Sequence, residues 1–220
     1  MKKSALILGA TGLVGEHLVR LLLDDDGYEE VKIFVRRPTG ISHTKLLEQI
    51  VDFEDIKTWK TLLSGNVLFS CLGSTIKKAS TREKQYRVDY TYQYKAAVAA
   101  ADAGVAAYVL ISSSGANPHS RIFYSRMKGE LDRDIKKLPF QAIRIVKPSV
   151  LVGERREKRR GEAAAIVLGK IVATLIPPLR KYRPIAAEVV ARAMIKVAED
   201  GEPGIKEYEL GEVFTLGRRQ

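Results

Sequence analysis

Tyr124 and Lys128 stand one helical turn apart, which places a phenol and an ammonium on the same helix face. The ammonium favours phenolate and so draws the tyrosine toward a range useful for acid–base work at a carbonyl oxygen. With nine tyrosines in the chain this spacing also arises by chance, and Tyr28 with Lys32 is an example that straddles the entrance to a strand. Context separates the two. The run Ser112-Ser113-Ser114 precedes Tyr124 and closes an apolar stretch, and the carboxyl ends of parallel strands form the ligand crevice of an open sheet.

A second chemical signal lies at the other end of the chain. Gly9-Ala10-Thr11-Gly12-Leu13-Val14-Gly15 follows an apolar run and opens a helix-period segment. Glycines at this spacing permit a tight turn and a close backbone approach, so that a pyrophosphate can rest on the free N–H groups and positive dipole end of a helix. The next strand ends in Val35-Arg36-Arg37-Pro38, where an NAD-binding chain would place a carboxylate for the ribose hydroxyl. A guanidinium there can grip a 2′-phosphate bidentately, which favours NADP over NAD. Asp52, ending a third apolar run, is placed either to meet the adenine amino group or to cap the segment that follows.

Other chemistries fare less well. The single cysteine, Cys71, excludes an internal disulfide and points to a reducing compartment, taken here as the cytoplasm. His17, His43 and His119 are too scattered for a metal site. A semialdehyde-dehydrogenase reading with Cys71 as nucleophile needs a second catalytic domain, for which the chain after the last main strand is short. A small buried residue at a strand end is the commoner use of such a cysteine.

These residues need elements to hold them. Strands are expected at 5–8, 31–35, 49–52, 67–71, 106–112 and 140–146, mostly as continuous apolar runs of the kind buried parallel strands show. Helices are expected at 13–23, 54–63, 86–103 and 123–136, then at 162–176 and 185–199, with a short strand at 207–210. Alternating strands and helices imply an α/β doubly wound parallel sheet, the Rossmann fold. Residues 1–220 read as one domain, with 147–220 as a small lobe packed on the substrate side. Lys2-Lys3 and the apolar residues after them read as structure rather than an address, because glycines and charge interrupt them. The apolar run 163–179 is too short to span a membrane.

Composition agrees with a globular α/β chain: 45% hydrophobic, 29% charged and 7% aromatic over 220 residues. The net charge of +11 is regional, since residues 121–183 hold 17 Lys/Arg against 6 Asp/Glu and the rest of the chain is balanced. That field suits an anionic substrate; nucleic-acid binding is not expected, for want of interleaved aromatics or a known module. The segment Arg155–Arg160, with five positive charges, is expected to form a flap over the crevice.

Taken together, the motifs resemble the atypical short-chain dehydrogenase/reductases, in particular the Tat-interacting-protein type and its bacterial relatives. The resemblance spans about residues 5–200. It rests on the glycine motif, Val51-Asp52-Phe53-Glu54, Ser70-Cys71-Leu72-Gly73-Ser74-Thr75, Val88-Asp89-Tyr90, the serine run with Gly115-Ala116, Tyr124 to Glu130, and the charged run Arg156 to Glu162. It implies an NADPH-dependent oxidoreductase, read here as acting on a small carbonyl or quinone; a monomer or homodimer is expected. Tyr124 would be the acid/base, Lys128 would hold the nicotinamide ribose, and Ser113 or else Ser114 would orient the substrate. The cofactor would meet Gly9, Thr11, Gly12, Leu13, Val14, Gly15, Arg36, Arg37, Asp52, Phe53, Cys71, Leu72, Gly73 and Thr75. Two departures stand out: Lys147-Pro148-Ser149 replaces the usual Arg-Pro-Gly, and Asp89 stands where an asparagine is frequent. The alternative is an NADPH-loaded regulatory protein with little turnover.

Overall fold

The inner strands carry little but apolar side chains, and burial on both faces is what such runs require. In the computed structural model, which describes residues 2–152 and 183–218, Ala5 to Leu8 of β1 (Lys3–Leu8) are fully buried. All four residues of β4 (Val67–Ser70) are buried as well. β2 (Tyr28–Val35), β5 (Ala107–Ile111) and β6 (Ala142–Lys147) complete the buried centre. β7 (Leu151–Val152) and β8 (Ile185–Ala186) pair apart from this sheet, while β3 (Leu46–Ile50) and β9 (Gly204–Glu209) mix exposed with part-buried positions and form its edges. The seven strands run parallel in the order β3-β2-β1-β4-β5-β6-β9. The order reverses between β1 and β4, where open α/β sheets bind their ligands.

Helices cover both faces. On one, α1 (Gly15–Leu23), α6 (Ala187–Ala198) and α7 (Gly211–Leu216) bury Leu18, Leu22, Val190, Met194 and Val213 against the sheet. On the other, α4 (Tyr92–Asp102) and α5 (Phe123–Ile135) bury Ala96, Ala100, Leu131 and Ile135. Two short helices, α2 (Ile76–Ala79) and α3 (Arg82–Tyr86), lie above the carboxyl ends of the strands. No helix among the described residues is long and apolar enough to cross a membrane.

Several elements differ from expectation. The segment 54–63 forms two 3-10 turns, Ile56–Thr58 and Lys60–Leu62, rather than an α-helix. Asp55 caps the first turn, and the Trp59 indole donates to the Asp52 carbonyl at 2.9 Å, so local side chains compete with a regular helix. The expected helix 86–103 is interrupted by a π-helical turn, Arg87–Thr91. β9 is longer than expected and pairs with β6 over six positions. Its link to the sheet is reinforced by Arg144, 1% exposed, which pairs with Asp200 at 2.5 Å and donates to the Gly204 carbonyl at 2.7 Å. Burial works against ionising Asp200, but the Arg144 guanidinium prevails and holds its carboxyl down to about 2. The expected helix 162–176 and the basic flap 155–160 lie outside the described residues.

Candidate active site

A cleft of about 1060 Å³ lies across the carboxyl ends of β1, β4 and β5. One end is the glycine loop. The Gly12 N–H closes a turn onto the Gly9 carbonyl at 2.9 Å, and Thr11, Gly12, Leu13 and Val14 line the cleft. No side chain caps α1, so its leading N–H groups remain free of side-chain acceptors. Gly9 has φ +80°, and a Cβ there would stand 2.5 Å from the Cys71 carbonyl carbon. A Cβ on Gly15 would overlap the Gly9 carbonyl oxygen. The loop is thus as close to its neighbours as backbone can be, and it leaves an uncapped helix start facing open space, which is the cradle a pyrophosphate needs.

Around this loop, Cys71, Leu72 and Gly73 line the cleft and an adjoining recess of about 500 Å³. Arg37 faces the cleft, while Arg36 and Phe53 face the recess beside Gly9. Asp52 lines neither; its carboxylate accepts the Glu54 N–H at 2.9 Å and shapes the turn below. Phe53 packs edge-on against Trp59, and Thr75 reaches the cleft while capping α2 through the Lys78 N–H. Burial pushes the Cys71 thiol up to about 12, against the pull of Lys128, so a thiolate nucleophile is disfavoured there.

The other end holds Tyr124, 41% exposed, and Lys128, buried beneath it one turn along α5. The Lys128 ammonium donates to the Ile111 carbonyl at 3.5 Å and lies 3.9 Å from the Asp89 carboxylate. Asp89 also accepts the Ser74 N–H at 2.7 Å. Burial raises the Asp89 pKa, opposed by the charge of Lys128 and by the Ser74 bond. The π-helical turn sets this carboxylate: Gln93 donates to the Asp89 carbonyl at 2.6 Å and accepts from Ser70, at the end of β4, at 2.7 Å. Of the serine run, Ser112 lines the cleft, whereas the Ser113 hydroxyl donates to the Ser114 carbonyl at 3.3 Å.

Behind Lys128, Asp132 is buried 3.4 Å from the Lys147 ammonium, which also pairs with Glu207 and Glu209. Lys147, the first residue of the Lys147-Pro148-Ser149 departure, is thus the centre of a charged cluster behind the cleft. The sequence marks Asp89 as part of the Val88-Asp89-Tyr90 motif and as a departure, with no partner assigned to it, and it gives no sign of Gln85, Gln93, Arg82 or Arg121. No local spacing marks these residues, because their place depends on the π-helical turn and on loops that converge from separate elements.

A glycine-rich βα turn at the switch point of a parallel sheet, opening onto a long crevice, defines a dinucleotide-binding α/β fold. Residues 9–157 match the family described as NAD(P)H-binding, and the chain belongs to that family. Among its relatives is the protein fmp52, mitochondrial, of Aspergillus fumigatus, 35% identical over 89% of this chain and 88% of that protein. FMP52 of Candida glabrata, also named mitochondrial, is 39% identical over 73% of this chain and 69% of its own. The fold is similar to that of the Bordetella bronchiseptica enzyme WbmH in complex with NAD+, with a TM-score of 0.72 at 14% identity, covering 96% of this chain and 77% of that one. The relatives' mitochondrial names overturn the cytoplasmic expectation. That expectation drew on the lone Cys71, and freedom from disulfides does not tell one reducing compartment from another.

Proposed function

We propose that this chain is an NADPH-dependent reductase of a small carbonyl or quinone. The observation that carries the reading is the placement of Tyr124 and Lys128 across one cleft from an uncapped, glycine-cradled helix start. When bound, the nicotinamide supplies the hydride that reduces a carbonyl carbon, leaving NADP+. Tyr124 gives the proton to the carbonyl oxygen, and the Lys128 ammonium stabilises the phenolate that remains. Asp89 holds Lys128 in place from beneath. A hydroxyl of the Ser112–Ser114 run orients the carbonyl, Ser113 by the motif and Ser112 by its position on the cleft wall. Arg36 and Arg37 form no ion pair with any described residue and are available to a 2′-phosphate, which supports NADP over NAD. Leu151, just after β6, brings that part of the chain onto the cleft wall.

Steady oxidation of NADPH across a panel of aldehydes, ketones and quinones tests the reading, with Ser112→Ala and Ser113→Ala compared on any substrate found. Tight NADPH binding without turnover on the whole panel would favour a cofactor-loaded regulatory protein instead.

A further inference from the structure

Two large aliphatic side chains left open to solvent line the cleft that holds Tyr124. Ile76 is 51% exposed and Ile122 is 70% exposed, and both line the cleft with Tyr124. Exposed apolar surface grouped at a cleft mouth marks a ligand site. Two guanidinium groups stand beside it. Arg82 lies over the Phe123 ring, 5.5 Å from its centroid, and Arg121 lines the same wall.

Elsewhere Arg87, Arg126, Arg133, Arg144 and Arg192 all find carboxylates. Arg82 and Arg121 form no ion pair with any described residue. The described acidic side chains on the cleft do not answer them: Asp89 is held by Lys128 and the Ser74 N–H, and Glu16 belongs to the first turn of α1 at the glycine-loop end. Stacking on Phe123 also restrains Arg82, so that less freedom is lost when its planar fork meets an anion.

We propose that this end of the cleft takes an amphipathic anion: an apolar body lying on Ile76 and Ile122, with a carboxylate held by Arg82 and Arg121. The substrate class is then a carbonyl compound carrying a carboxylate. Its carbonyl rests on the reductase reading above; its charge and apolar body do not.

The test uses probes with and without a reducible group. Calorimetry on the NADPH-loaded protein compares decanoate with methyl decanoate, which share a chain and differ in charge. Decanoate is expected to bind about ten- to hundredfold more tightly, the range for charge-assisted hydrogen bonds. In the double variant Arg82→Ser, Arg121→Ser that preference should fall to near unity, and Ile122→Ser should weaken both probes together. Equal binding of the two probes, or a preference that survives the double variant, overturns the proposal. NADPH oxidation with a series of ω-oxo carboxylates and their methyl esters should show the same preference in kcat/KM. If decanoate is preferred but no carbonyl compound is reduced, the reductase reading fails while the anion site stands. If acids and esters are reduced alike and decanoate is not preferred, the reverse holds.

Discussion

At the glycine loop, backbone meets backbone: Gly9 stands against Cys71 and Leu72, Gly15 against Gly9, and one added methyl group is too much. At the Tyr124 end, side chains stand apart, with Ile122 largely exposed and two arginines that pair with no carboxylate among the described residues. The first end is specified by steric exclusion and tolerates almost no substitution without a cost to folding. The second is specified by which groups project into open space, so its residues can change chemistry while the fold stays intact. Stability and activity should therefore separate along the cleft.

Tyr124→Phe puts the largest effect on that contrast. Turnover should fall by about 10² to 10⁴, the span for general acid–base catalysis, while the urea midpoint of this exposed position barely moves. A comparable loss of stability would break the distinction between the two ends.

Gly9→Ala should do the opposite. Its positive φ and the contact with Cys71 together predict a loss of about 2 to 4 kcal/mol in unfolding free energy. Denaturation curves check this without any substrate, and a variant as stable as the parent would show that the loop can relax.

Arg36→Asp probes the nucleotide end through a side chain instead of through backbone. NADPH affinity should weaken by about 1.5 to 3 kcal/mol and NADH affinity should change less. Equal affinities for the two cofactors in the parent would remove the basis for NADP preference.

The smallest effect concerns Asp89, where the two kinds of constraint meet. Its carboxyl is raised above the ordinary range, chiefly by burial, so the native state favours the protonated form more than the unfolded chain does. The resulting stability is present at acid pH and is lost as pH rises through the raised value. Asp89→Asn lacks this titration, and the difference in stability between parent and variant should shift over that window. A constant difference from acid to neutral pH would show that Lys128 and the Ser74 N–H hold the native pKa at its unfolded value.

The same contrast explains what could be read from the chain alone. Gly9, Gly12 and Gly15 declare themselves because sterics leave no alternative residue, and the continuous runs of β1, β4 and β5 declare burial on both faces. β3 begins at Leu46 rather than 49, because an edge strand with mixed exposure gives little apolar signal. The turns over 56–62 depend on Asp55 and Trp59 acting on nearby backbone, which competes with a helical pattern that the spacing alone supports. The Asp89–Lys128 pair joins a π-helical turn to a helix far along the chain. The identity of Asp89 was visible there, but its partner was not.

The short parallel pair of β7 (Leu151–Val152) and β8 (Ile185–Ala186) has a consequence for how this architecture can diversify. Leu151 pairs with Ile185 and Val152 with Ala186, and the Ile185 N–H bonds to the Val150 carbonyl at 2.9 Å. The chain therefore departs and returns at adjacent points of a fixed frame, beside Leu151 on the cleft wall. This clasp holds Leu151 on the cleft wall by main-chain pairing, so the side chain at that position can be exchanged, and the wall reshaped, without loosening the backbone that presents it.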